Sequence, residues 1–79
     1  MEKKIIIDKL KQILIEVLNH EKFEMKNELT ASDVDGWDSL SHMTIITIIE
    51  ERFGIKFKLR EINKLKNMQS LIELIQSKL

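Results

Sequence analysis

A serine directly behind an aspartate, in Gly36-Trp37-Asp38-Ser39-Leu40, is the stretch of this sequence best suited to chemistry. Turn residues precede it in Ser32-Asp33-Val34-Asp35-Gly36. An amphipathic run from Ser41 to Phe53 follows, and Gly54 stops it. Ser39 therefore stands where a turn gives way to a helix. Free amides at a helix N-terminus and the positive end of its dipole favour an anion, so a phosphodiester on Ser39 would sit in a favourable field. Asp38 adds negative charge and is not there to attract phosphate. The plainer role for either residue is to cap the helix, since both side chains can accept a first-turn amide.

Other chemistries fit these residues less well. A hydrolytic serine needs a positioned base and an oxyanion hole. The two histidines, His20 and His42, are the candidate bases, and His42 follows Ser39 by about one helical turn. No Gly-x-Ser-x-Gly elbow surrounds the serine. An exposed helix position is the simpler reading of His42, and His20 reads as the end of the first helix, where a cation suits the dipole. Two histidines and no cysteine make no metal site. Asp33, Asp35 and Asp38 lack the rest of a calcium loop and its closing glutamate. No catalytic residue and no metal ligand is expected.

The elements that must position Ser39 follow from periodicity. A first helix is expected from about Glu2 to His20, with Ile6, Leu10, Ile13, Leu14, Val17 and Leu18 on one stripe. Ile5, Ile7 and Ile15 widen that stripe and read as core. The connection from Asn19 to Trp37 is long for a small bundle. It contains Phe23, Met25, Leu29, Val34 and Trp37, so it should fold back onto the helices. The second helix should begin at Asp38 or Ser39, with Ile45, Ile46, Ile49 and Phe53 inward. Its β-branched residues lower intrinsic helix propensity, so packing must supply the preference. Ile55 to Leu59 alternates like a strand, but a lone strand would leave its backbone unpaired. It reads as an extended connector that plugs Ile55 and Phe57 into the core. A short helix around Arg60 to Leu65 should follow. Asn67 should cap a last helix carrying Met68, Leu71, Ile72, Ile75 and Leu79 on one face.

Composition sets the outer limits. The 79 residues make one small domain, residues 1–79, expected to be all-α: a four-helix bundle with a long loop between helices 1 and 2 and a short third helix. There is no proline, and the two glycines fall at helix boundaries, which favours helices throughout. The N-terminal isoleucines are too few, and too soon interrupted by Asp8, Lys9 and Lys11, for a signal peptide. No stretch is long enough to insert in a membrane. Zero formal net charge gives no electrostatic support for nucleic acid binding. The absence of cysteine is compatible with the cytoplasm, the expected location. The charge is nevertheless uneven. Asp33, Asp35, Asp38, Glu50 and Glu51 stand without a basic neighbour between Asp33 and Glu51, whereas Arg52 to Lys66 holds six bases against Glu61. A segment of one sign can steer a partner of the other.

Gly-Trp-Asp-Ser-Leu at 36–40, the upstream helix and long loop, the downstream amphipathic helix and Phe53-Gly54-Ile55 together resemble the acyl and peptidyl carrier proteins. The resemblance covers nearly the whole chain. Trp37 departs from the glycine or alanine of many relatives. The resemblance implies a carrier, not an enzyme, whose Ser39 receives a covalent 4'-phosphopantetheine arm from coenzyme A by way of a phosphopantetheinyl transferase. It further implies an acyl- or aminoacyl-loading ligase and a downstream synthase or transferase as partners of a monomeric protein. By the same resemblance Asp38 serves the transferase and its magnesium ion. Helix positions after the serine flank the arm, so Asp38, Leu40, Met43, Glu50 and Glu51 are the expected recognition residues. Carriers of central fatty-acid synthesis are usually strongly acidic, and this chain is neutral, with Ser41 and Thr44 after the serine. That points to a dedicated biosynthetic pathway; a carrier of central synthesis, or a small helical interaction module with Ser39 as a cap, are the alternatives.

Overall fold

The computed structural model describes residues 2–79. Four α-helices run in chain order: α1 (Lys3–Leu18), α2 (Ser39–Phe53), α3 (Leu59–Asn63) and α4 (Met68–Lys78). A single 3-10 turn, Ala31–Asp33, lies in the long loop between α1 and α2, and no strand occurs among the described residues. The expected all-helical arrangement, with its long first loop and short third helix, is what the chain adopts.

The core is built from three apolar stripes of equal size. Ile6, Leu10, Ile13 and Leu14 come from α1. Ile45, Ile46, Ile49 and Phe53 come from α2, and Met68, Leu71, Ile72 and Ile75 from α4. Helix α1 packs against both α2 and α4. This burial overrides the weak intrinsic helix preference of the isoleucine-rich α2. The wide margin of α1 is not uniformly core. Ile7, Ile15, Val17 and Leu18 are half-buried and Ile5 is exposed, because the two facing helices cover a limited arc of α1. Leu79 is likewise exposed: α4 closes at Lys78, and the last leucine lies beyond its packed turns.

The helix ends are set by local backbone chemistry. Helix α1 stops at Leu18, two residues short of His20, because Asn19 takes a left-handed conformation (φ 61°) and its amide bonds the Ile15 carbonyl. Gly54 does the same for α2 at φ 66°. The next amide, Ile55, returns to the Glu50 carbonyl at 3.1 Å, and Ile55 is buried. Residues 55–58 then form neither helix nor strand, with Phe57 half-buried and Lys58 in an extended conformation. Helix α3 is one residue earlier at its start and two shorter at its end than the sequence reading. The Glu61 carboxylate takes the Lys58 amide at 2.7 Å and so begins the helix at Leu59.

The long loop is ordered by what it does for α4. The Leu29 and Asn27 carbonyls accept the Met68 and Gln69 amides at 2.7 and 3.1 Å. They satisfy donors that the first turn of a helix leaves unpaired. Asn67 caps the third, accepting the Ser70 amide at 2.9 Å. Leu29 and Val34 are buried, and Phe23, Met25 and Trp37 pack half-buried against the core. His20 does not act on the α1 dipole. Its Nδ1 accepts the Lys22 amide, and its Nε2–H donates to the Asp35 carbonyl at 2.7 Å, tying the start of the loop to its end.

Candidate functional site

The turn before α2 is held from three directions. Gly36 takes φ 84°, a conformation that a Cβ would strain. The Trp37 amide donates to the Val34 carbonyl at 3.2 Å. Ser41 reaches back from the first turn of α2, and its Oγ donates to the Gly36 carbonyl at 2.7 Å while accepting the Asp38 amide at 2.8 Å.

Asp38, not Ser39, is the helix cap. Its Oδ1 accepts the Leu40 and Ser41 amides at 3.0 and 2.9 Å. The Ser41 amide, the Ser41 hydroxyl and the Leu40 amide all favour the ionised form, and they hold the Asp38 carboxyl below the usual aspartate range. Ser39 occupies the first helical position, exposed and outside this capping network. This changes the electrostatic picture of the site. Two of the amides that would greet a phosphate at the helix end, those of Leu40 and Ser41, are already taken, and a carboxylate sits on the positive end of the dipole. What the structure offers a phosphoryl group is a primary hydroxyl on a rigid turn with solvent around it. A covalent phosphodiester fits that position without displacing any packed side chain.

Two apolar side chains close to Ser39 in the chain are exposed. Leu40 is 81% exposed and Met43 48% exposed, so neither is spent on the core. Glu50 and Glu51 lie far from the serine, about 17 Å along the helix for a rise of about 1.5 Å per residue. Glu51 is exposed. Glu50 is half-buried, and its Oε2 accepts the Phe57 amide at 2.8 Å, so it has a structural duty in seating the connector. Both border an open groove of about 280 Å³ with Thr47 and Lys56.

His42 is not a simple surface residue. Its Nδ1 accepts the Trp37 indole N–H at 3.1 Å, and the two rings stack loosely with centroids 6.1 Å apart. Both rings line a small pocket of about 50 Å³ with Leu29, Leu65, Lys66 and Leu71. Partial burial lowers the imidazole pKa from 6.5. Sequence reasoning missed two pairings here. The spacing Asp38-x-x-Ser41 is the signal for the reciprocal cap. No familiar spacing announces the Trp37–His42 pair, which depends on the loop's path. No cluster of potential metal ligands occurs among the described residues, and none of their helices is long and apolar enough to cross a membrane.

Comparisons with known proteins agree with this geometry. The family model described as "Phosphopantetheine attachment site" matches residues 8–75, a span that includes the turn and α2. The chain is 32% identical over 73 residues to the acyl carrier protein of Buchnera aphidicola subsp. Acyrthosiphon pisum (strain 5A), covering 92% of this chain and 91% of that one. Among solved structures, the holo acyl carrier protein of Geobacter metallireducens is 40% identical with a TM-score of 0.84, covering 91% of this chain and 83% of the other. The acyl carrier protein of Thermotoga maritima is 26% identical with a TM-score of 0.85, covering 99% and 91%. Proteins of this family are carriers rather than catalysts, and phosphopantetheine is their covalent cofactor. The chain belongs to the phosphopantetheine-attachment family, that of the acyl carrier proteins.

Proposed function

We propose that this protein is a monomeric carrier of acyl or aminoacyl groups in the cytoplasm, with Ser39 as the point of phosphopantetheine attachment. The observation that carries the assignment is the position of Ser39: exposed, first in α2, and spared from the cap that Asp38 and Ser41 form. In the transfer, Ser39 Oγ gives its proton to a base of the transferase and bonds the pantetheine-side phosphorus of coenzyme A, while the pyrophosphate P–O bond breaks and adenosine 3',5'-bisphosphate leaves. Once attached, the arm supplies a terminal thiol that holds cargo as a thioester and brings it to successive enzymes at high effective concentration. The chain's own part is presentation. The turn fixes where the arm leaves, Asp38 offers a carboxylate to a transferase and its magnesium ion, and Leu40 and Met43 offer apolar contact.

A dedicated biosynthetic pathway is the reading favoured by the charge. Zero net charge and six bases between Arg52 and Lys66 suit partners other than strongly basic ones. The partners are then a phosphopantetheinyl transferase, a loading ligase for acyl or aminoacyl groups, and a downstream synthase or transferase.

The test is intact mass after incubation with coenzyme A and a broad-specificity transferase. Addition of one phosphopantetheine to the wild type, and none to Ser39→Ala, is expected. An adduct that survives in the alanine variant would place the attachment elsewhere.

A further inference from the structure

We propose that His42 is a positioning residue for the attachment site: as a neutral imidazole it accepts the Trp37 indole N–H and clamps the turn that presents Ser39, and on protonation it lets that turn go. The inference rests on the assignment of Ser39 as the attachment point.

The geometry makes the clamp direct. Trp37 lies two residues before Ser39 in the chain, and His42 lies one turn after it. The hydrogen bond from Trp37 Nε1 to His42 Nδ1, at 3.1 Å, closes a loop around the serine. Indole N–H is only a donor, so His42 Nδ1 must be unprotonated to receive it. The imidazolium carries a proton on both ring nitrogens and has nothing to accept with. The clamp therefore exists in one protonation state and not in the other.

The surroundings favour the neutral form. The pocket that the two rings share is lined from the loop by Leu29 and Ala31 and from α4 by Leu71, all uncharged. The linker between α3 and α4 contributes Leu65, Asn67 and Lys66, the last of them the one charged residue bordering the pocket besides His42 and itself solvent-exposed. At the start of α2 the Asp38 carboxylate already accepts the Leu40 and Ser41 amides. Burial pushes His42 in the same direction, below 6.5. The clamp is thus closed at neutral pH and opens in mildly acidic solution, on the acid side of the ordinary histidine value of 6.5. When it opens, the turn keeps the Val34 and Ser41 tethers but loses the side-chain restraint on Trp37.

The chain has one tryptophan, so its indole N–H gives a single, assignable NMR signal. Wild type, His42→Asn and His42→Leu are compared from about pH 8 to about pH 5 (the working window of a histidine). Asparagine Oδ1 stands where Nδ1 does and accepts a proton donor without titrating, whereas leucine accepts nothing. The wild-type indole signal should move in step with the His42 ring, the asparagine variant should hold its high-pH position throughout, and the leucine variant should show the released position at every pH. Transferase loading, taken as the ratio of wild type to His42→Asn so that the enzyme's own pH dependence cancels, should fall about 3- to 10-fold across the transition, the range one hydrogen bond is worth. An indole signal that ignores the His42 titration, or a flat loading ratio, overturns the clamp. Should His42→Leu fail to fold, wild type against His42→Asn still decides the question. If the wild type takes up no phosphopantetheine at about pH 8, where the clamp is closed, the attachment reading itself fails, and the role of the clamp with it. Normal loading there with a pH-insensitive indole signal removes the clamp alone.

Discussion

Asp38 and Ser41 hold each other across the first turn of α2. Asp38 Oδ1 accepts the Ser41 amide at 2.9 Å, and Ser41 Oγ accepts the Asp38 amide at 2.8 Å. The reciprocity frees Ser39, which lies between them in sequence, from any part in starting the helix. Of two nearby serines, Ser41 is thus committed to the cap and Ser39 is not, which leaves Ser39 available for the attachment proposed for it.

Unfolding measurements should resolve those duties. Ser39→Ala removes an exposed hydroxyl outside the capping network, and its stability in urea should stay within about 0.5 kcal/mol of wild type. Ser41→Ala removes the acceptor for the Asp38 amide and the donor to the Gly36 carbonyl, and should cost about 1 kcal/mol. Loading should show the reverse order: lost in Ser39→Ala, retained in Ser41→Ala. A Ser39→Ala variant less stable than Ser41→Ala would contradict the capping assignment.

Charge and capping at Asp38 can be separated by Asp38→Asn. Asparagine caps a helix about as well as aspartate, so the fold should hold at neutral pH. Loading should slow, because the carboxylate offered to the transferase's magnesium is gone. The pH dependence has a definite sign. The folded-state pKa of Asp38 is depressed, chiefly by the Ser41 amide, relative to 3.8 in the unfolded chain. Its stabilisation is therefore fully present above that value and is lost as pH falls through the folded pKa. The wild type should lose more of its melting temperature than Asp38→Asn on going from neutral to strongly acidic solution. Equal losses would mean the cap does not discriminate between the ionised and protonated carboxyl.

The architecture was readable because it rests on local signals. Ile45, Ile46, Ile49 and Phe53 recur at helical spacing, Asn67 precedes an apolar run, and Gly54 follows one. Each of these acts within a few residues of itself, so periodicity and capping chemistry recover it. The misreadings share a different cause. His20 reads as a partner for the α1 dipole, but it bonds the Asp35 carbonyl, fifteen residues on. His42 reads as exposed until the loop brings Trp37 beside it. Glu50 reads as a free surface charge until the connector turns back and presents the Phe57 amide. All three depend on where a loop travels, which no local period encodes. Ser39 was legible as a candidate, but its freedom from the cap was not, because Asp38 and Ser39 are equally able cappers on paper.

Phe53 tests the core. It is 8% exposed at the end of the α2 stripe, and the Lys9 ammonium lies 5.6 Å from its ring centre. Phe53→Ala should cost roughly 3 kcal/mol, the lower end for a buried phenylalanine, because the ring keeps a solvent-facing edge. Lys9→Ala removes only an exposed cation–π contact and should cost about 0.5–1 kcal/mol. For a domain this small the first change takes a large share of total stability. Chemical denaturation of both variants checks the ranking, and near-equal costs would mean Phe53 is a surface ring rather than a core one.

Recognition should depend more on the apolar side chains near Ser39 than on the distant acids. Leu40 and Met43 are largely exposed on the first two turns of α2, where an enzyme approaching the arm must touch the carrier. Methionine adapts to varied partners, and a buried apolar anchor usually outweighs a charge on the rim of an interface. Met43→Ala should therefore raise the KM for transferase loading by about 3- to 10-fold, the factor for about 1 kcal/mol of lost contact, with little change in stability. Glu51→Lys is the cleaner charge probe, since Glu50→Lys would also release the Phe57 amide and disturb the connector. Its effect should be smaller than that of Met43→Ala and should fade as salt is added, because rim charges act mainly through screened, long-range attraction. The measurement is loading kinetics for wild type, Met43→Ala and Glu51→Lys over a range of ionic strength. Equal rates for all three at every salt concentration would mean that the transferase docks on another face of the carrier, even with Ser39 as the residue it modifies.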